Sequence, residues 1–230
     1  MKKIISFSLY GNKPNFQVGA VVNVLEAKRL YPDWKCRFYT TDDELVCKQL
    51  EYLGAEIVRM DDWPDGHMFW RFLAIDDSDV CISRDTDSVV NEREAAAVNQ
   101  WLDSDKQWHL MNDHRYHKKH PMMGGMWGFK KGEIIGFDKN TIRKHIQEWI
   151  ELGNTSEGYG HDQRFLVDVL YPMTHENCIK HGCHGLEFPI HTPCRYGAFV
   201  GDYSFHRDGW KGWVLGDQEV HKVWKMFGYK

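Results

Sequence analysis

The chain has 230 residues, of which 42% are hydrophobic and 27% are charged. This length and composition are typical of one globular domain with enough apolar surface to form a core. The net charge of only -4 provides no basic surface for a nucleic-acid backbone or an anionic membrane, so we expect neither partner. No stretch resembles a signal-peptide core or approaches the roughly eighteen apolar residues of a membrane span, so we expect a cytoplasmic protein.

The six cysteines are scattered along the chain without a Cys-x-x-Cys pair. In a cytoplasmic protein of this size, such a pattern favours free thiols in the core over a disulfide framework.

The first ninety residues alternate between predicted strands and helices. Apolar runs predict strands over residues 4–9, 36–39 and 56–60. Apolar residues at helical spacing predict two helices between them, the first with Val18, Val21, Val22 and Leu25 and the second with Leu45, Leu50 and Leu53. Helices that connect strands imply right-handed crossovers and therefore a mostly parallel sheet.

Two aspartates follow the next predicted strand, at 80–83. There Arg84 leads into Asp85, Thr86 and Asp87, so two carboxylates flank one small residue at a strand end. Hard oxygen ligands suit Mg²⁺ or Mn²⁺, which keep open positions for phosphate oxygens. Ligands in open parallel sheets bind at the carboxyl ends of the strands, where the Tyr10-Gly11 turn also lies. The sequence therefore predicts one crevice that contains both features.

The remaining elements are predicted by the same periodicities. Residues 68–75 read as a helix in which Arg71 is the only cation, either on a solvated face or in contact with a phosphate or base. Further helices are marked by Ala95, Val98, Trp101 and Leu102 and by Ile142, Ile146, Trp149 and Ile150, and a strand is predicted at 108–111. A last helix begins near His161 and is expected to end at Pro172. The final sixty residues show little periodicity and are expected to form irregular loops over the crevice.

Four landmarks occur in one order along the chain. They are Asp85-Thr86-Asp87, the segment Gly124-Gly125-Met126-Trp127-Gly128-Phe129, the pair Asp162-Gln163, and His206-Arg207-Asp208-Gly209-Trp210-Lys211-Gly212-Trp213. In this order they resemble the nucleotide-sugar glycosyltransferases of the GT-A fold, most closely the retaining branch with glycogenin-like and galactosyltransferase enzymes. The chain is also similar in compactness and tryptophan content to the small glycosyltransferases of large algal DNA viruses, which implies a viral protein acting in the host cytoplasm.

The resemblance implies a fold, a reaction and a set of partners. The fold is α/β, with a Rossmann-like, mixed but mostly parallel sheet flanked by helices in a single domain over residues 1–230. Residues 1–90 would form a nucleotide-binding half that ends in the acidic loop, and residues 91–230 an acceptor half with closing loops. The reaction is metal-dependent transfer of a sugar from a nucleotide diphosphate, expected to be UDP, to a hydroxyl of a glycan or glycoprotein, with retention of configuration favoured.

The resemblance also implies roles for individual residues. Asp85 and Asp87 are expected to bind Mn²⁺, or else Mg²⁺, with His206 as the third protein ligand, and Asp162 and Gln163 are expected to be the catalytic pair that faces the sugar. The residues expected to bind the nucleotide or diphosphate are Ser8, Tyr10, Gly11, Arg71, Arg84, Asp85, Gly124, Gly125 and Lys211. A metal and a lysine on one side of the breaking bond, with a carboxylate or amide on the other, would stabilise its charge separation.

The chain departs from the family pattern in two places. The segment at Gly124 lacks the family's Asn-Ala-Gly, and Lys211 stands one position early with no proline after it. Simpler interpretations also exist for single residues: Asp162 fits a helix cap, Gly124 and Gly125 fit a plain turn, Lys211 fits a solvated surface position, and His206 fits an ordinary packed or exposed histidine.

Two other functions are compatible with parts of the sequence. Haloacid-dehalogenase-like phosphatases also place an Asp-x-Asp after an apolar strand, with the first carboxylate, here Asp85, as the nucleophile. That motif ordinarily follows the first strand of its domain, whereas several strand-helix units precede it here. A zinc-stabilised binding module is the second alternative, because His175, Cys178, His181, Cys183 and His184 lie close together in the sequence.

Overall fold

The computed structural model describes residues 1–63, 66–112, 120–134, 142–154 and 160–182, together with the backbone of residues 190 and 191. The strands are β1 (Lys3–Leu9), β2 (Lys35–Thr40), β3 (Glu56–Arg59), β4 (Val80–Arg84), β5 (Trp108–Asn112), β6 (Trp127–Lys130), β7 (Cys178–Gly182) and β8 (Ile190–His191). The helices are α1 (Pro14–Leu30), α2 (Glu44–Tyr52), α3 (Glu92–Leu102), α4 (Ile142–Glu151), α5 (His161–Phe165) and α6 (Tyr171–Thr174). The predicted strands and helices of the first ninety residues are thus confirmed, with one change of helix type.

The eight strands form one sheet in the order β3-β2-β1-β4-β6-β5-β7-β8. Only β6 runs antiparallel to its neighbours β4 and β5, and the other described pairs are parallel. The expected mixed, mostly parallel sheet is therefore confirmed. Because β6 is reversed, the residues before it lie at the same edge as the carboxyl ends of the parallel strands.

The sheet separates two hydrophobic cores, because successive side chains of a strand point to opposite faces. On one face Ile5 and Phe7 of β1 pack with α1, α2 and α3. On the other face Ile4 of β1 packs with the 3-10 helix Trp70–Asp76, α4 and α5. Among the described residues, no helix is both long enough and apolar enough to cross a membrane.

The predicted helix at 68–75 is a 3-10 helix over Trp70–Asp76, and Arg71 is not on a solvated face. The six residues from Trp70 to Ile75 are all buried, so this segment has no exposed side around which an amphipathic α-helix would form. Its tight turns begin with a hydrogen bond from the Phe72 amide to the Phe69 carbonyl at 2.8 Å.

The sequence predicts that the last helix ends at Pro172, but the helix continues past this residue. A π-helical segment, Leu166–Leu170, follows α5 and leads directly into α6, which has Pro172 at its start. Pro172 therefore lies inside a continuous helical run, directly after a π-helical turn, and its missing N–H removes one backbone hydrogen bond there. Beyond α6, strand β7 pairs in parallel with β5, so the final sixty residues are not entirely irregular.

The four described cysteines are free, and three of them (Cys36, Cys47 and Cys81) are buried. Burial raises the pKa of the Cys36 and Cys81 thiols to about 12, which keeps them protonated. The expectation of free thiols is confirmed for these four, while Cys183 and Cys194 lie outside the described residues.

A buried ion pair crosses from β4 to α3. Arg84 Nε donates to Glu94 Oε1 at 2.6 Å, and both side chains are almost completely excluded from solvent. Tyr31 donates a hydroxyl hydrogen bond to the same Glu94 oxygen, at 3.1 Å. Removing one partner of such a pair leaves an uncompensated buried charge.

We expect Arg84→Ala to lower the free energy of unfolding by about 3–5 kcal/mol, because Glu94 would remain buried without its partner. Lys48→Ala is the matched control, since Lys48 and its ion-pair partner Glu44 are both exposed, and it should cost far less free energy of unfolding than Arg84→Ala. Urea denaturation of both variants measures the difference. Equal losses would show that the Arg84 pair contributes no more than a surface pair.

Candidate active site

The acidic loop lies at the carboxyl edge of the sheet, directly after β4. Its backbone is held by Asn23 of α1, whose side-chain amide donates to the carbonyls of Thr86 and Ser88 at 3.3 and 3.1 Å. The Asn23 carbonyl oxygen accepts from the Val90 amide at 3.1 Å. Asn23 is completely buried, so this loop has a defined shape before any ligand binds.

Arg71 joins the acidic loop to helix α5. One guanidinium nitrogen, Nη1, donates to Asp85 Oδ1, and the other, Nη2, donates to Asp162 Oδ2 at 2.7 Å. Arg71 is 7% exposed and Asp162 is 2% exposed. Burial alone lowers the pKa of Arg71, but the two carboxylates raise it overall, so the guanidinium stays charged.

Two serines of β1 fix the backbone of Arg71. Ser8 Oγ accepts from the Arg71 amide at 3.0 Å, and Ser6 Oγ donates to the Arg71 carbonyl at 2.6 Å. The sequence had predicted Ser8 as a donor-binding residue, whereas the structure uses its hydroxyl to hold Arg71. Strand β1 therefore determines where the guanidinium lies.

The turn before β6, residues 122–125, packs against these charged groups, and we call it the glycine turn. A Cβ atom at Gly124 would overlap the Arg71 guanidinium and lie 2.6 Å from Asp162 Oδ2. A Cβ atom at Gly125 would overlap the Asp85 carboxylate. Close approach of backbone to side chains is the usual reason for glycine at such positions. The structure thus brings both predicted glycines into the site.

Asp162 and Gln163 occupy the first turn of α5. Gly160, with a φ of +87°, is the N-cap residue, so Asp162 is not the cap and directs its carboxylate to Arg71 instead. Burial raises the pKa of Asp162, and Arg71 offsets part of that rise. Gln163 Oε1 accepts from the Gly124 amide at 3.3 Å, and its Nε2 donates to the Met122 carbonyl.

Tyr10 lies beside the acidic groups at the end of β1. Its ring centroid is 4.8 Å from that of His67 and 6.2 Å from that of Trp70. Burial raises the pKa of the Tyr10 hydroxyl, Arg71 lowers it, and Asp162, Asp85 and Asp87 raise it further. Gly11 follows with a φ of +85°, which a residue with a side chain adopts only with strain.

The second aspartate of the loop is close to the first. Burial raises the pKa of Asp87 to about 7, and the charge of Asp85 adds to this rise. The Asp85 side chain is 41% exposed, with Oδ1 paired to Arg71. Two neighbouring carboxylates that resist simultaneous ionisation form a donor set that a divalent cation would stabilise, so these residues fit Mn²⁺ or Mg²⁺.

Several predicted site residues are not brought to this place. Arg84 points to the opposite face of the sheet and pairs with Glu94, so its predicted contact with the donor is wrong. The reason is that successive side chains of a strand point to opposite faces: Ser83 and Asp85 face the crevice, so Arg84 faces away from it. His206 and Lys211 lie outside the described residues. Within the part of the chain that the structure describes, no three His, Cys, Asp or Glu side chains cluster as a metal site.

The predicted zinc cluster is not assembled by its described members. Cys178 is partly buried against the hydrophobic core on one face of the sheet, whereas His181 lies on the other face of β7. His181 Nδ1 is 3.0 Å from His109 Nε2, and its Nε2 is 2.9 Å from Gln100 Oε1. Residues three positions apart on a strand point to opposite faces of the sheet, so Cys178 and His181 cannot share a metal. Cys183 and His184 lie outside the described residues.

Two further residues at the carboxyl edge of the sheet were not predicted from the sequence. The first is Asn23, which the sequence marks only as an amide side chain among the apolar residues of α1. Asp42 is the other: this buried carboxylate follows β2 and accepts from the Asn12 amide and from Gln17 Nε2, both at 3.1 Å. The rule that identified Asp85, an acid just after a strand, would also have identified Asp42.

Comparison with known structures identifies the fold. The chain superposes on a crystal structure of an active-site mutant of LgtC with a TM-score of 0.51 and 15% identity, covering 99% of this chain and 95% of that one. The chain has a GT-A-like fold. Glucosyl-3-phosphoglycerate synthase from Mycobacterium tuberculosis matches with a TM-score of 0.49, 11% identity and coverage of 100% and 81%. No protein-family model matches the chain, and neither does any curated protein.

A glycosyltransferase involved in glycosylation of the major capsid of PBCV-1 also matches, with a TM-score of 0.44, 11% identity and coverage of 79% of this chain and 82% of that one. A score this low does not bear on the predicted viral origin, which stays a prediction. The similarity to LgtC, at 15% identity, concerns the GT-A-like fold alone.

We expect Asp87→Asn to stabilise the protein more at pH 8 than at pH 4 when a chelator is present. The pKa of Asp87 is about 7 in the folded protein, compared with 3.8 for an ordinary aspartate. As the pH rises from 3.8 to 7, the unfolded chain releases the Asp87 proton more readily than the folded protein does, so the free energy of unfolding falls. Removing the charge should gain at least about 1.4 kcal/mol at pH 8, the value of one pKa unit.

Thermal denaturation across this pH range measures the effect. Asp33→Asn serves as the control, because Asp33 is exposed in the turn after α1. A pH profile of stability that is the same for Asp87→Asn and the wild type would contradict the burial of Asp87 beside Asp85.

Proposed function

We propose that this protein is a metal-dependent glycosyltransferase that moves a sugar from a nucleotide diphosphate, UDP, to a hydroxyl group of a glycan or glycoprotein. One observation carries the proposal: Arg71 links Asp85 and Asp162 under the glycine turn, at the carboxyl edge of the sheet. This edge is where open α/β sheets bind their ligands. The GT-A-like fold and the order of the sequence landmarks agree with it.

Asp85 and Asp87 would hold the divalent cation. The cation would supply positive charge to the diphosphate as the bond to the sugar breaks. Asp85 has one oxygen engaged by Arg71 and is partly exposed, so its other oxygen is available to a metal. We assign His206 as the third protein ligand and Lys211 as a further cation for the diphosphate, both from the sequence resemblance. Oxygen ligands with one imidazole suit Mn²⁺ somewhat better than Mg²⁺.

Other side chains of the site would bind and orient the donor. Tyr10, followed by Gly11, would border the nucleoside, because the Tyr10 ring is next to the rings of His67 and Trp70 and its hydroxyl feels the charges of Asp85 and Asp87. Arg71 would hold Asp162 in place beside the sugar. The Asp162 carboxylate would then stabilise positive charge that develops on the sugar ring.

Retention of configuration is the stereochemical outcome that we favour. Its support is the Asp162-Gln163 pair, which in sequence resembles that of the retaining branch. Asp162 is a buried carboxylate paired with Arg71, and both amide atoms of Gln163 are engaged with backbone. Asp162 is therefore the better candidate of the two for contact with the sugar. We further propose that the protein acts in the cytoplasm, which would be the cytoplasm of the host cell if the chain is viral.

The phosphatase alternative fits the site less well. Asp85 Oδ1 is bound to a buried guanidinium, so the one remaining oxygen of Asp85 would have to serve both as the nucleophile and as a metal ligand. Strand β4 is also the fourth strand along the chain rather than the first.

We expect UDP to bind only when Mn²⁺ is present, and Asp85→Ala or Asp87→Ala to weaken this binding at least about a hundredfold. The reason is that metal-ion charge stabilisation is worth several kcal/mol. Isothermal titration calorimetry with and without a chelator measures the affinity. Asp33→Ala, an exposed substitution remote from the crevice, is the control and should bind like the wild type.

UDP binding of equal strength in the presence of a chelator would contradict the metal assignment. Rapid hydrolysis of a generic phosphate ester with Mg²⁺, abolished by Asp85→Asn, would instead support the phosphatase. Slow hydrolysis of a UDP-sugar without an acceptor, observed over a panel of sugars, would support the transferase and indicate the donor.

A further inference from the structure

The side-chain amide of Gln163 is bound at both ends by the backbone of the glycine turn. Its Oε1 accepts from the Gly124 N–H at 3.3 Å, and its Nε2 donates to the Met122 C=O. A flipped amide would place an NH₂ against an N–H and a carbonyl against a carbonyl, so only one orientation satisfies all four groups. A glutamine therefore suits this position, where a glutamate would lack the donor.

A second hydrogen bond holds the same turn from the strand next to it. Ser83 Oγ donates to the Gly124 C=O at 2.7 Å, and both groups are buried. The peptide groups on either side of Gly124 are thus fixed from α5 by Gln163 and from β4 by Ser83. Gly124 has no side chain, so it cannot anchor the turn itself.

The position of this turn determines the space around the charged groups. Gly124 is in contact range of Arg71 and Asp162, and Gly125 of Asp85, so tightly that a single added methyl group would overlap them. A shift of the turn toward the crevice would displace these side chains. A shift away would open the packing that holds Asp85 in its bridge to Arg71.

We propose that Gln163 is a positioning residue that fixes the glycine turn over the Asp85-Arg71-Asp162 bridge, and that it does not itself contact the sugar. Where it concerns donor binding, this inference rests on the proposed function. It replaces the catalytic role that the sequence resemblance implied for Gln163. Ser83 acts with it from the opposite side of the turn.

Gln163→Glu provides the sharpest test, because one atom changes and protonation restores the donor. Near pH 8 the new carboxylate would face the Met122 carbonyl, and we expect Mn²⁺-dependent UDP affinity to fall about tenfold to a hundredfold relative to the wild type. Near pH 5 the neighbouring Asp162 and partial burial favour the protonated acid, so the ratio of variant to wild-type affinity should recover to within about threefold. Gln163→Ala should be impaired at both pH values.

Hydrogen exchange of the Gly124 amide is the second readout, and it does not depend on any ligand. Protection of this amide should be lost in Gln163→Ala and preserved in Gln147→Glu, a control on the exposed face of α4. Protection and UDP affinity that are both unchanged in the Gln163 variants would overturn the inference. The inference would also be overturned if the Gln163 variants kept both the protection and the UDP affinity but lost sugar transfer or donor hydrolysis, because Gln163 would then act at the sugar.

A wild-type protein that does not bind UDP at all would refute the proposed function without deciding the role of Gln163. In that case the exchange measurement decides it alone: loss of Gly124 protection in Gln163→Ala supports the positioning role, and unchanged protection overturns it.

Discussion

One buried cation joins the two walls of the crevice in this protein. The Arg71 guanidinium contacts Asp85, which follows β4, and Asp162, which opens α5. Without it, two carboxylates, one of them almost completely buried, would face each other unpaired, at a cost of several kcal/mol. The serines of β1 fix the backbone of Arg71, Asn23 fixes the backbone of the acidic loop, and the glycine turn packs against the charged side chains themselves.

The topology of the sheet explains how residues so distant in sequence meet. Parallel strands β1 and β4 end at one edge and deliver Tyr10 and Asp85 there. The reversed strand β6 begins at the same edge, so the glycine turn that precedes it lies over the acidic loop. A fully parallel sheet would have placed this turn at the other end. The reversed direction of β6 therefore brings the glycine turn to the acidic loop.

The sequence predicted this sheet and the location of its crevice because apolar periodicity and strand-end carboxylates are local signals. It also selected Asp85, Asp162, Gly124 and Gly125, which the structure brings together. It misplaced Arg84, since the residues before an acidic pair alternate between faces, and the pattern alone did not show which face was the crevice. The partners of Arg71 and Gln163 could not be predicted, because they depend on contacts between residues 14 to 91 positions apart.

A crystal structure with Mn²⁺ and UDP, with data collected at the manganese absorption edge, would show whether the cation lies at the acidic loop. We expect one anomalous peak within coordination distance of carboxylate oxygens of both Asp85 and Asp87, with Arg71 still bound to Asp162. A manganese peak away from both aspartates, or an Arg71 side chain turned out to solvent in the complex, would contradict it.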